Sequence, residues 1–529
     1  MSSSLPSLMN KNLQDVFHYH KETKHSQLRY ARSLGYMDWA NQPNPYRIYK
    51  GALNISLPLA TENPTPPYSL IFTDEVPSAP LLINSISQFL QFSMGVSAIK
   101  SNGVDDWDLR CNASSGNLHP SEVYVILPPI DGIGNQTTIS HYLPKTHSLE
   151  SLISFESGMY KTLPNNSFFV AISSIVYREV WKYGERAFRY TQLDAGHALR
   201  SLEISAKILG WSCRVLDDIS DADIAQLLGL NQKLRFNEDE DEIPDILLLI
   251  TSDEFNEKID YSELLEHTNE TYNSVANHIA LNYQKWPLIT QIEEATFSSH
   301  TTLKKMPHAL ITREPSLESK KVILSRRSAQ MMNKEHSEIS YENFMTLLNS
   351  TKESFNGFLN AVNLVIFVHN VTGLKQGIYI LIRNQEHKSQ LLELMSDSFL
   401  WEKIDEDFYA LRYDDYKIAS KNISCNQDIA SEGAFSLGML SAFSDELLKH
   451  GAHRYKELYW ECGAIGQQLY LEATSLGLSA TGIGCFLDDS FHKLLGLQSN
   501  RFQSLYHFTI GKGLFDSRVL TKEPYADRK

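Results

Sequence analysis

Four short stretches of this chain carry side chains able to do chemistry. In RCNASSGNLHPSEVYVILPP (110–129), Ser114, Ser115 and Asn117 set small polar groups around Gly116. They stand ahead of a β-branched run, closed by proline, that reads as a short buried strand. Such a segment can ring a planar polar heterocycle with hydrogen bonds, and it is equally an ordinary loop. Further on, Arg326, Arg327 and Ser328 put two guanidiniums beside a hydroxyl near an expected helix start. That grouping suits phosphate or another oxyanion; its plain reading is basic surface. WKYGERAFRY (181–190) sets Lys182, Arg186 and Arg189 among Tyr183 and Tyr190, and reads as a helix with a solvated basic side. Gly482, Ile483 and Gly484 make a flexible glycine-rich turn. A fifth candidate is weaker. His18, His20 and His25 lie within FHYHKETKHS (17–26), a polar helix start, but no acidic or cysteine partner stands at ligand spacing, so a solvated or docked extension is expected rather than a metal site.

The elements that must position these groups occur twice. Residues 168–230 lie over 435–497 at a constant offset of 267, without a gap and with 16 identities in 63 positions. Unrelated sequence would give about 4. Each copy holds one long helix, with apolar stripes at Ala198, Leu202, Ala206, Leu209 and at Ile465, Leu469, Ala473, Leu476. Gly210 and Gly477 follow, where a helix commonly ends. The stretch 81–92 also reads as helix, 244–252 as a buried strand closing the first half, and 506–513 as its counterpart. Segments 141–155 and 377–395 each read as a strand followed by a helix. The acidic run 237–242 reads as a solvated loop.

At 529 residues the chain is too long for one core and suits two domains with extensions. We expect an N-terminal extension over 1–70, a first domain over 71–255, a connecting segment over 256–315 with helix-like stretches, and a second domain over 316–529. Apolar content of 42%, charge of 21% and a net charge of −15 without a basic tract fit a soluble globular protein and argue against nucleic acid. No apolar run reaches membrane-spanning length, and the N-terminus lacks the apolar core of a secretory signal. The five cysteines are scattered without CxxC spacing, which argues against structural zinc or a disulfide framework and for a cytoplasmic setting.

The two copies did not keep the same chemistry. Upstream of the first half, 70–90 holds no arginine to match Arg326 and Arg327. The second half has no Ser-Ser-Gly-Asn in 354–368, and Gly482–Gly484 corresponds to Val215, Leu216 and Asp217. If the halves pack about a pseudo-twofold axis, one cleft receives every polar element and the other receives none of the phosphate-like ones. One competent site and one blind one are expected.

Taken together, RCNASSGNLHPSEVYVI, KYGERAFRYTQLDAGHALRSLEISAKILGW, SRRS, ECGAIGQQLYLEATSLGLSATGIGCFLDD and LYHFTIG, with FHYHKETKH at the N-terminus, resemble nitroreductase-like flavoproteins. The resemblance is to the tandem, fused form of the SagB-type dehydrogenase branch, which includes azoline-oxidising enzymes of peptide natural-product pathways. It implies an α+β fold of two tandem nitroreductase-like domains forming a fused pseudo-dimer, with FMN between the halves. It implies that Arg326, Arg327 and Ser328 hold the flavin phosphate and ribityl chain, that Ser114, Ser115, Gly116 and Asn117 come from the opposite half, and that Gly482, Ile483 and Gly484 cover the ring. Ala113 replaces the usual proline. Lys512 stands where simpler relatives often put a basic phosphate ligand. Lys182 and Tyr183 match the Lys-Tyr pair of the oxidising members, with a buried lysine as base and the tyrosine as relay. The implied activity is FMN-dependent oxidation of a small-molecule or peptide-derived substrate. NAD(P)H-dependent reduction of nitro or quinone compounds and a degenerate flavin-binding protein remain as alternatives. The chain would work as a monomer, its own internal pseudo-dimer, or as a homodimer.

Overall fold

The computed structural model describes residues 10–528 apart from 238, 239, 241, 271, 299–312, 315, 316 and 354–359. Two seven-stranded, wholly antiparallel sheets dominate it. The first runs, in spatial order, Leu53–Ser56, Ser148–Phe155, Thr137–Leu143, Ser121–Leu127, Phe168–Ser174, Ile243–Thr251, Ser212–Val215. The second runs Glu402–Asp405, Phe408–Tyr413, Gly377–Leu381, Val362–Val368, Phe435–Ala442, Phe502–Gly511, Ser479–Ile483. The inner strands Ser121–Leu127, Phe168–Ser174, Val362–Val368 and Phe435–Ala442 are buried along their whole length because both sheet faces are covered. That is why they read as unbroken apolar runs rather than alternating ones. On the outer faces lie two separate apolar clusters, one per half. On the inner faces one continuous cluster runs from Leu13 to Ile510 through both halves, so the halves share a core.

The offset of 267 reappears as geometry. The two central helices, Ala187–Ile208 and Arg454–Ser475, are 22 residues each and stand at that offset residue for residue. They cross at Gly196 and Gly463, which are repeat equivalents. A Cβ on Gly196 would stand 2.8 Å from the Cα and carbonyl carbon of Trp460; one on Gly463 would press on Leu193 O and lie 3.0 Å from Gly196 Cα. Leu193 and Trp460 are themselves equivalents, so each helix seats its glycine against the same backbone position of the other. A second reciprocal pair flanks the crossing. Arg189 binds Asp488 at 3.0 Å, and its equivalent Lys456 binds Asp221, the equivalent of Asp488, also at 3.0 Å. These exchanged contacts are the signature of an isologous interface within one chain.

The chain ends reinforce the pairing. The helix Lys11–Glu22, capped by Asn10, packs on Pro287–Thr296 and sets Phe17 and His20 against Phe443 of the second half. Strand Leu520–Lys522 pairs with Val96–Ser101 of the first half. The connecting segment holds helices Ser262–His267 and Pro287–Thr296, as its pattern predicts.

Several expectations change. Segment 141–155 is the end of one strand and all of the next, not strand then helix; Glu150 points inward to His141 and Tyr49 N, so a polar residue breaks the alternation that would have marked the strand. Segment 377–395 does hold a strand and the helix Lys388–Leu394. The helix read at 17–26 begins earlier, at Lys11. In the acidic run, Glu240 and Glu242 are buried around the Arg47 guanidinium rather than solvated. The rest of that run's acids, and residues 354–359 ahead of the second-half strand, lie outside the described residues.

Candidate functional site

A cleft of about 950 Å³ opens between the halves. Its walls include Ser114, Ser115, Gly116 and Asn117 from the first half and Arg326, Arg327, Ser328, Gly482, Ile483 and Gly484 from the second. Tyr183 lines it too, and Lys182 flanks it: a Cβ on Gly116 would meet Tyr183 Oη at 2.7 Å and Lys182 Nζ at 3.0 Å. Every site residue expected from sequence, Lys512 excepted, therefore falls in or beside one cavity.

Backbone pairing brings the second-half pieces together. Ser328 forms a parallel bridge with Ala480, and Ala329 N donates to Ala480 O, so the Arg-Arg-Ser segment runs alongside the strand that ends in the glycine turn. Tyr470 on the second central helix locks the junction. Its hydroxyl accepts from Gly482 N at 2.9 Å and shares a hydrogen with Ser328 Oγ at 2.8 Å. The turn must be glycine because tyrosines press on it: a Cβ at 482 would strike the Tyr506 hydroxyl, and one at 484 the Tyr190 ring.

Cross-half hydrogen bonds dock the first-half segment. Arg326 donates to Arg110 O and Cys111 O at 3.0 and 3.1 Å, and Gln467 holds Cys111 O and Ala113 N. Within the segment Asn117 Nδ2 donates to Asp108 O, and Ser115 gives both its N–H and its hydroxyl to Asp194. Arg326 is thus a buried tie between halves, while Arg327 is half-buried and lines the cleft, its guanidinium donating to Leu324 O, Arg326 O and Ser97. Burial and the Arg326 charge push Arg327 down to about 10 from its usual value, and burial with Arg327 lowers Lys100, also on the wall. A corner whose cations depress one another is a corner that favours an anion. Asn112 adds a buried side-chain oxygen with no hydrogen-bond partner among the described residues. Lys512 lies apart, its Nζ donating to Gly477 O.

Three local expectations are corrected. The Arg-Arg-Ser segment follows the C-terminal end of helix Ser319–Ser325 instead of opening one, so no helix N-terminus contributes; Arg327 donates to the orphan carbonyl of Leu324 there. Arg186 and Arg189 are not on a solvated side: both are buried against Asp488, whose carboxyl they hold well below the usual range despite its burial. Lys182 is exposed rather than buried, whereas burial raises Tyr183 well above the usual phenol range.

Sequence reasoning missed Asp194 and His197, which project from the first central helix into the cleft. Burial pushes Asp194 up to about 7 against the pull of its serine hydrogen bonds, and pushes His197, held by Gln467 and Tyr506, down to about 3. The signal was present. Asp194 stands four residues before Ala198 on the apolar stripe, an acid where the pattern calls for a hydrophobe.

A model of the nitroreductase family matches residues 107–236 and 323–512, more than half the chain, and the chain belongs to that family. It is similar to "Putative nitroreductase MJ1384" of Methanocaldococcus jannaschii, 26% identical over 163 residues, which are 29% of this chain and 78% of that one. Among solved structures, a nitroreductase-like protein of Anabaena variabilis superposes with a TM-score of 0.68 at 21% identity, over 94% of this chain and 99% of that one. The fold is therefore shared across both halves. The E. coli microcin synthetase complex McbBCD with truncated pro-MccB17 also matches, at a TM-score of 0.27 and 18% identity, over 47% of this chain and 96% of that chain.

Proposed function

We propose that the chain is an FMN-dependent oxidoreductase of the SagB-type dehydrogenase kind, holding one flavin in the cleft between its halves. The observation that carries this is the convergence of residues 114–117, 326–328 and 482–484, distant in sequence, on one cavity of ligand size. The donor set fits the group. Arg327, Lys100 and Ser328 offer charge and a hydroxyl to a phosphate, and the Asn112 oxygen accepts. Ser114–Asn117 and Gly482–Gly484 line the same cavity and would hold the ring. When bound, FMN supplies the two-electron chemistry. The protein's part is placement and proton handling. Tyr183, kept protonated by burial, can donate from Oη at any pH near neutrality; Asp194, poised near 7, can take up or release a proton in the same range. The substrate would be a small or peptide-derived molecule.

The exposure of Lys182 favours a second reading, an NAD(P)H-dependent nitro or quinone reductase, which needs no base to draw a proton from carbon. Purified protein decides the first point. A yellow spectrum with about one FMN per chain is expected, and colourless protein that ignores added FMN overturns the proposal. Anaerobic addition of NAD(P)H then separates the two readings: bleaching supports the reductase, and no bleaching supports the dehydrogenase.

A further inference from the structure

Five cysteines that look scattered along the chain are not all scattered in space. Cys425 lies in the loop between helices Lys417–Ile423 and Ile429–Glu432; Cys485 directly follows the glycine turn and lines the cleft. Their sulfurs are 2.6 Å apart, and both residues are partly exposed, while Cys111, Cys213 and Cys462 are buried. The two loops are clamped together on either side of the pair: Gln427 Nε2 donates to Cys485 O at 3.2 Å, and Leu487 N to Ile423 O at 2.7 Å. Cys425 and Asn426 both have left-handed backbone, φ +54° and +60°. That conformation is costly for residues with a side chain and persists only where the surroundings enforce it.

We propose that Cys425 and Cys485 are a redox-active thiol pair at the rim of the cleft, taking low-molecular-weight disulfides as its substrate. The proposal does not depend on what the cleft binds. The surroundings make Cys485 the attacking sulfur. The Cys425 sulfur shares a hydrogen with it, His25 hydrogen-bonds it, and the buried Arg186 guanidinium stands nearby, so Cys485 is held down to about 5 in spite of its burial. Cys425 is raised correspondingly, with Tyr30 as a further neighbour. The His25 tautomer is set for this: Nδ1 accepts from Ala31 N at 3.0 Å, which leaves the ring hydrogen on Nε2. Asp488, which accepts from His25 N and from Arg186, completes the charged groups around the pair.

The Cys485 thiolate attacks one sulfur of an external disulfide, whose S–S bond breaks and releases a first thiolate. The Cys425 thiol then loses its proton to solvent, and its sulfur attacks Cys485 Sγ, expelling the second thiolate as the internal disulfide forms. Two protein thiols are oxidised and one external disulfide is reduced to two thiols. Oxidation ties the 424–428 loop covalently to the wall that carries Gly482–Gly484.

The full-length protein, reduced and desalted without oxygen, is equilibrated with glutathione and glutathione disulfide at graded ratios, quenched in acid, alkylated and analysed by mass. Two of the five cysteines should become protected, in a single cross-linked peptide pair containing Cys425 and Cys485, and dithiothreitol should restore both. In Cys425→Ser the cross-link should be replaced by a lasting glutathione adduct on Cys485. Alkylation of all five cysteines at every ratio, a cross-link between other cysteines, or a lasting mixed disulfide on Cys485 in the natural chain overturns the proposal.

Discussion

Replacing Gly463 by alanine sets two effects of opposite sign against each other at the centre of the molecule. Alanine is a better helix former than glycine by about 1 kcal/mol, so on a free helix surface the change would stabilise. At the crossing, the added methyl would stand 3.0 Å from Gly196 Cα and His197 N and closer still to Leu193 O, where ordinary contact begins at 3.4 Å. All three neighbours are backbone of the other central helix. No rotamer change makes room, so the helices must part. Overpacking a filled core costs typically about 1–3 kcal/mol, and a clash of backbone with methyl belongs at the upper end. The net expectation is a loss of about 2 kcal/mol. Gly196→Ala should behave alike, since its methyl would meet Trp460 backbone at 2.8 Å. The helices also carry Asp194, His197 and Tyr470 of the cleft wall, so flavin affinity should fall together with stability. Urea unfolding followed by tryptophan fluorescence, with FMN titration of each variant, reads both. A variant as stable as the natural chain, or more stable, would show propensity winning and would refute the close crossing.

Other changes have equally definite outcomes. Arg327→Ala, which removes a cation of the cleft wall together with its hydrogen bonds to Leu324 O and Arg326 O, should weaken FMN binding at least tenfold by fluorescence titration and cost about 1 kcal/mol in unfolding; unchanged flavin affinity would contradict the role given to it. Arg383→Met leaves Glu461, now paired at 2.7 Å and fully buried, without its cation and should cost about 3–5 kcal/mol in chemical denaturation. For Asp194 the sign follows from its raised value. An acid at about 7 in the fold and near 4 when unfolded contributes stability below pH 4, and that contribution is lost as pH rises through 7. Asp194→Asn should therefore gain on the natural chain as pH rises, by on the order of 3–4 kcal/mol at pH 8.5, with no gain at pH 4; flavin-free unfolding at the two values measures it.

How much was legible depended on whether a feature was local. The 267 offset, the central helices, the apolar inner strands and the glycines that end each helix all follow from short-range patterns. The identities at Gly196/Gly463 and Asp221/Asp488 were visible as letters, but their reason was not, because each acts on the other copy. Arg189 reads as solvated until Asp488 arrives from 299 residues away. The position of Arg326–Ser328 at a helix end rather than a start was missed because that helix, Ser319–Ser325, is a single short stretch with little periodicity to read. The Cys425–Cys485 contact has no sequence signature, since it closes between two loops 60 residues apart.

The clearest view of how the copies diverged comes from one pair of equivalent acids. Asp194 and Glu461 sit at the same place on the two central helices, and both accept backbone N–H groups from the segment that leads into an inner strand: Ser115 N for Asp194, Ala361 N and Val362 N for Glu461. Glu461 is also gripped by Arg383 at 2.7 Å, which fixes it as a structural carboxylate. Among the described residues Asp194 is held by serines, and burial outweighs their pull and moves it into the range where it can exchange a proton. The same asymmetry recurs one turn on, where His197 faces the cleft and its equivalent is Ala464, buried in the shared core. At the turn after the helix, Gly482–Gly484 line the cleft, whereas Val215 and Leu216 are buried. An ancestor with two identical clefts would need every one of these positions twice. Here the glycine crossing and the cation–aspartate pairs that join the halves are duplicated, and the groups that would do chemistry are not.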